Sequence, residues 1–145
     1  MACICLIAEA DPFIANLLQR FAEESGVESA HAKTGEEVLE LVRLVNPDVL
    51  ILEPDLPGEM RGWEALKAVR ASDGLAGRIP VISCSWMSLT ESARRLGHTA
   101  GHLQKPDLHY ADFVIALLAA GVGIEDPANL GPSTFDGPAK QGTWP

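Results

Sequence analysis

Basic residues are scarce in this chain: 11 Lys and Arg stand against 20 Asp and Glu among 145 residues, giving a formal charge of −9. Nucleic acid and anionic membrane surfaces are bound through clustered Lys and Arg, so neither is expected as a direct partner. A fused DNA-binding module is not expected either. Cysteine is sparse as well. Cys3, Cys5 and Cys84 are odd in number and lie inside apolar runs rather than at loop spacings, which reads as buried, reduced thiols in a cytoplasmic protein. Cys3 and Cys5 would share one face of a strand without converging partners, so the pair is not expected to hold metal. Long hydrophobic runs are missing, and no segment approaches membrane-spanning length. The N-terminal apolar stretch is short, has no basic flank and runs into Glu9 and Asp11, unlike a signal peptide.

What remains is an apolar content of 47%, enough to build a core in a chain of one-domain size. Short apolar runs alternate with stretches of helical period five times, the pattern of a parallel sheet covered on both faces. The first strand is expected over residues 3–8. A helix follows with Phe13, Ile14, Leu17, Leu18 and Phe21 on one stripe, closing near Gly26. Residues 27–31 are a more polar strand suited to a sheet edge. Thr34 to Glu37 reads as a capping box opening a helix with Val38, Leu41, Val42 and Val45 inward, and Pro47 ends it. The third strand is expected over residues 49–52, a third helix over 62–72 with Leu66 and Val69, and a fourth strand over 79–84. Ser88 to Glu91 forms a second capping box, for a helix that stops at Gly97. A short fifth strand at residues 100–103 precedes a last helix, with Asp107 as its cap and Tyr110, Phe113, Val114, Leu117 and Leu118 inward. The domain is expected over residues 1–120. Residues 121–145 carry five Gly and four Pro without apolar period and read as a flexible or draped tail. Trp144 in that tail either docks on a groove or stays in solvent.

The apolar run Val49-Leu50-Ile51-Leu52 stops at Glu53, and Pro54-Asp55-Leu56-Pro57-Gly58 follows. A carboxylate at such a strand end projects into the crevice where open α/β sheets bind ligands. Glu9 closes the first strand, Ser85 the fourth, and Lys105-Pro106 follows the fifth. These separated motifs, in this order, resemble response-regulator receiver domains from residue 3 to about 120. The resemblance implies a flavodoxin-like, doubly wound five-stranded parallel sheet of order 2-1-3-4-5, with helices on both faces and Glu9 beside Glu53. Glu53 falls where the family carries its phosphoacceptor Asp, lengthened by one methylene. The two first-strand acids that hold Mg2+ in the family match Glu9 and Ala10, and Ala10 has no oxygen to give. Asp11 is next in line, but a one-residue shift turns its side chain away unless the backbone changes locally. Asp55 matches a site that contributes its backbone carbonyl. Ser85 matches the switch hydroxyl, and Lys105 the anion-pairing lysine, whose bond to the following proline is commonly cis in the family. His102 takes the place of an aromatic rotamer switch, or is a surface imidazole on a short edge strand. Trp86 stands where the family has a small residue; it either covers the acid pocket or swings onto the outer face of the fourth helix. The loop at residues 57–62 is one residue longer than the common form.

Phosphoryl transfer depends on positioning and charge neutralisation, and here one carboxylate is lost while the nucleophile reaches too far. No Mg2+ cofactor is therefore expected; were Mg2+ to bind, its ligands would be Glu9, Glu53 and the Asp55 carbonyl. Glu53 is expected to pair with Lys105 and to project its fixed charge towards Ser85. The leading reading is a stand-alone atypical receiver that is not an enzyme. It would bind a signalling protein, a histidine kinase or a downstream effector, through helix four, strand five and helix five. A homodimer through that same face fits the reading too. The alternative is a functioning phosphoacceptor in a two-component phosphorelay, with Mg2+ held by Glu9 and Asp11. An FMN-binding flavodoxin is disfavoured, because Glu9-Ala10-Asp11-Pro12 is anionic where a phosphate would bind. Cys84 and Ser85 have no paired His at readable spacing, and His31, His98, His102 and His109 show no metal signature. Whether the Glu53 state is the active or the resting form stays open at this level.

Overall fold

The apolar runs pair side by side in a computed structural model that describes residues 3–124. The strands are β1 (Ile4–Ala8), β2 (Glu28–Ala32), β3 (Val49–Leu52), β4 (Val81–Ser85) and β5 (Gly101–Gln104), all parallel, in the order β2-β1-β3-β4-β5. The helices are α1 (Pro12–Glu24), α2 (Gly35–Val45), α3 (Gly62–Arg70), α4 (Leu89–Leu96) and α5 (Tyr110–Ala119). Alternating strand residues feed two cores. Cys5, Ile7, Ile51 and Ile82 pack with Leu18 and Phe21 of α1 and Phe113 and Leu117 of α5 on one face. Leu6, Leu50, Leu52 and Val81 pack with Val38 and Val42 of α2, Leu66 and Val69 of α3, and Leu96 of α4 on the other. This period-two division of β1, β3 and β4 makes them continuous apolar runs, since neither face meets water.

The register sets the site. Ala8 lies opposite Leu52, and the Glu53 N–H donates to the Ala8 carbonyl at 3.1 Å, so the acids that end β1 and β3 emerge together. On the far side the Lys105 N–H donates to the Ser85 carbonyl at 2.9 Å, which brings the end of β5 to the end of β4. Gly62 opens α3 against the Glu53 carbonyl so closely that a Cβ would collide with it. No helix among the described residues is long and apolar enough to cross a membrane.

Several local expectations need correction. Phe13 is 75% exposed rather than inward, because the buried arc of α1 centres on Ile14, Ala15, Leu18, Phe21 and Ala22. Leu118 is likewise half exposed, outside the α5 arc of Tyr110, Phe113, Val114 and Leu117. Asp107 does not cap α5, which begins three residues later with His109 at the N-cap. Strand β4 starts at Val81, since a short 3-10 turn at Gly74–Arg78 occupies the chain just before it. Thr34 and Ser88 cap α2 and α4 as their patterns imply, but the Glu37 carboxylate reaches the Lys33 N–H instead of that of Thr34. The folded unit also runs past residue 120: Val122 is buried in the first core and donates its N–H to the Leu117 carbonyl. Trp144 lies outside the described residues.

Candidate functional site

Glu9, Glu53 and Lys105 meet at the carboxyl end of the sheet, and they are 3%, 8% and 4% exposed. Lys105 Nζ donates to Glu53 Oε1 at 2.8 Å. It also lies 2.6 Å from Glu9 Oε1, in a close ion pair that lacks hydrogen-bond angles. The second oxygens are engaged as well. Glu9 Oε2 accepts from the Asp11 N–H at 3.0 Å, and Glu53 Oε2 from the Asp55 N–H at 2.9 Å. In both cases the donor is the amide two residues on, where the chain turns out of its strand. Burial by itself would lower the Lys105 ammonium, yet the contacts with Glu53 and Glu9 outweigh that and hold it above its ordinary value. Burying one cation with two anions is costly unless each charge is paired, and here each is.

The remaining anticipated residues occupy the rim or serve other bonds. Asp11 lines the cleft, but its carboxylate caps α1, accepting from the N–H groups of Phe13 and Ile14 at 2.8 and 3.3 Å. It is thus not poised as the missing acid of the pocket. Ser85 is buried and lines the cleft; its hydroxyl accepts from the Met87 N–H at 3.0 Å and is not hydrogen-bonded to Glu53. Trp86 also lines the cleft and remains 64% exposed, which places it at the rim of the pocket. His102 is half-buried, bridging Ser83 Oγ at 2.6 Å and Gln104 Oε1 at 3.0 Å, rather than a free surface imidazole. The Lys105-Pro106 peptide bond is cis.

Sequence reasoning missed Gln104. Its amide nitrogen donates to the carbonyls of Ser85, Trp86 and Lys105 at 3.2, 2.9 and 3.3 Å, tying β5 to the loop that leaves β4. Its oxygen faces His102, so Ser83, His102 and Gln104 form one polar chain along the sheet edge. Only the polar character of an edge strand hinted at this. Arg95 was missed too; it reaches 40 residues back to pair with Asp55 at 3.1 Å.

The donor set can be tested against the Mg2+ that such clefts hold. Octahedral coordination at short distance needs several free oxygens. Ala10 supplies none, the Asp11 carboxylate is spent on α1, and three of the four oxygens of Glu9 and Glu53 already accept a hydrogen bond, while Glu9 Oε1 is held only in an ion pair with Lys105. The Asp55 carbonyl lies within 3.5 Å of the Arg61 guanidinium. These residues do not fit the ion as they stand, and no group of acids, His or Cys among the described residues forms a metal cluster.

A five-stranded parallel sheet of order 2-1-3-4-5, with a polar cleft at its carboxyl end, is a flavodoxin-like architecture. The chain matches the response regulator receiver domain over residues 5–107 and belongs to that family. Receiver domains are signalling modules that interact with kinases or effectors. A polar-differentiation response regulator, DivK, of Brucella anthropi is 29% identical over 103 residues, covering 70% of this chain and 82% of the relative. The chemotaxis protein CheY4 of Vibrio cholerae superposes with a TM-score of 0.73 at 23% identity, covering 83% of this chain and 99% of that one. The receiver domain of a Pseudomonas aeruginosa sensor histidine kinase, solved with magnesium in its active-site cleft, gives 0.72 at 18% identity, with the same coverage of 83% and 99%. These likenesses establish the CheY-like fold.

Proposed function

We propose that the chain acts as a stand-alone atypical receiver, a protein-interaction module held in its working conformation by its own Glu53 carboxylate and independent of phosphorylation. One observation carries the reading: Lys105 already has its anions, at 2.8 Å from Glu53 and 2.6 Å from Glu9. Attack on a phosphodonor would require Glu53 to give up the ammonium or the Asp55 amide, with no third carboxylate to help hold a cation that could neutralise the incoming charge. The partner, a histidine kinase or an effector, would bind the face made by α4, β5 and α5. Trp86, Leu89, Ile115 and Leu118 lie on or beside these elements as exposed large apolar side chains, which suits a protein contact. A homodimer through this face and a cytoplasmic location accord with that role.

The test is labelling with acetyl phosphate in the presence of Mg2+. Wild type and Glu53→Asp should both stay unlabelled, whereas Ala10→Asp combined with Glu53→Asp restores the acid pair and should gain label. A folded wild type that takes label at Glu53 would establish a working phosphoacceptor and end the proposal.

A further inference from the structure

The chain has few cations, and four of its 11 Lys and Arg line one groove between α3 and α4. Trp63, Lys67 and Arg70 lie at i, i+4 and i+7 on α3 and so share a face; Arg94 and Arg95 face them from the last turn of α4. Leu66 contributes apolar lining. The cavity is about 580 Å3, within the size range of small-molecule sites. Two of the four cations have carboxylate partners: Arg94 pairs with Glu91 at 2.9 Å and Arg95 with Asp55 at 3.1 Å. Lys67 and Arg70 pair with no carboxylate among the described residues; Arg70 spends one nitrogen on the carbonyls of Gly77 and Ile79. Partial burial lowers the Arg70 guanidinium from its ordinary value, a desolvation cost that a bound anion would offset.

Cations at the ends of helices also complement the macrodipole, and that would account for Arg70, Arg94 and Arg95 one at a time. It does not account for their meeting across a concave surface beside a half-buried indole, in a protein whose field is otherwise negative. Guanidinium groups are suited to phosphate oxygens and Trp faces to flat rings.

We infer that the α3–α4 groove binds a nucleotide, its phosphates held by Lys67, Arg70, Arg94 and Arg95 and its base stacked on Trp63. The site joins the acid cleft through one chain of contacts. Arg95 pairs with Asp55, whose N–H donates to Glu53, which in turn holds Lys105. The Arg95–Asp55 pair is close to half exposed and therefore weak, so a phosphate can compete with Asp55 for the guanidinium. Binding itself does not depend on how the Glu53 pocket works, and the two readings fail separately.

Isothermal titration calorimetry of the full chain with ATP, GTP and inorganic triphosphate tests this. At least one nucleotide should bind saturably, with a dissociation constant below about 1 mM and about tenfold tighter than triphosphate, the worth of one stacked base. Lys67→Gln and Arg94→Gln should each weaken it about tenfold, Trp63→Leu should remove the advantage over triphosphate, and Trp63→Phe should retain part of it. Lys33→Gln, on a loop outside the groove, should change nothing, and an unchanged thermal transition certifies the fold of each variant. No saturable nucleotide binding, equal binding of triphosphate, or binding only of a poly-glutamate peptide would each overturn the assignment.

Discussion

The acid cleft and the basic groove are built from opposite materials, and the contrast lies in how completely their charges are used. In the cleft three charged side chains are nearly buried, three of the four carboxylate oxygens accept a hydrogen bond and the fourth, Glu9 Oε1, lies in an ion pair with Lys105, so most of the charge is already engaged. In the groove, ion pairs are half exposed and two cations have no acid partner among the described residues. The first pattern holds a conformation; the second leaves binding capacity for something from outside. Asp55 belongs to both, its amide to Glu53 and its carboxylate to Arg95.

The largest expected effect comes from the cleft. Lys105→Met leaves Glu9 and Glu53 buried side by side without a cation and should destabilise the fold by roughly 3–5 kcal/mol at neutral pH, read by urea denaturation. Neutralising one of the two acids as well, in Lys105→Met with Glu53→Gln, should recover part of that loss. An equal loss in the single and the double variant would show that the two acids do not feel each other.

An intermediate effect is expected in alkali. Burial pushes the thiols of Cys5 and Cys84 up to about 12 from 9.0, and a raised folded pKa means stability that is complete below pH 9 and lost above it, as the unfolded thiols ionise first. Lys105, raised from 10.5, adds a loss of the same sign that sets in only above that value. Wild type should therefore begin to lose stability near pH 9, whereas Cys5→Val with Cys84→Val should hold its urea midpoint until about pH 10.5. Parallel curves for the two proteins would mean that the thiols are not the cause.

The smallest effect belongs to the groove. Glu91→Gln removes an exposed partner of Arg94 and should shift stability by no more than about 0.5 kcal/mol. It should also strengthen nucleotide binding slightly, by freeing the guanidinium; weaker binding would place Glu91 among the ligand contacts.

Apolar runs and capping signals made most of the fold legible beforehand. Val49 to Leu52 reads as a buried strand because nothing in it can face water, and Thr34 and Ser88 announce their helices because their hydroxyls satisfy the N–H groups three residues on. The errors fall where periodicity runs out. Phe13 lies one residue beyond the arc that α1 buries, and Asp107 precedes a helix whose first turn starts only at Tyr110. In the site, the pairing of Glu53 with Lys105 was expected from the resemblance to receiver domains, which places both residues at strand ends. The capping role of Asp11, the exposed stance of Trp86 and the clamp made by Gln104 were not.

Residue order along the chain was sufficient to determine five βα units, two apolar faces and acids at the ends of β1 and β3, because strand and helix periods and caps are local properties. Tertiary structure alone decided which oxygen meets which hydrogen. Lys105 reaches Glu53 across 52 residues and Arg95 reaches Asp55 across 40, and the four cations of the groove meet only because α3 and α4 lie side by side. Such contacts depend on how the helices pack on the sheet and on where each backbone turns, and no short window of sequence carries that information.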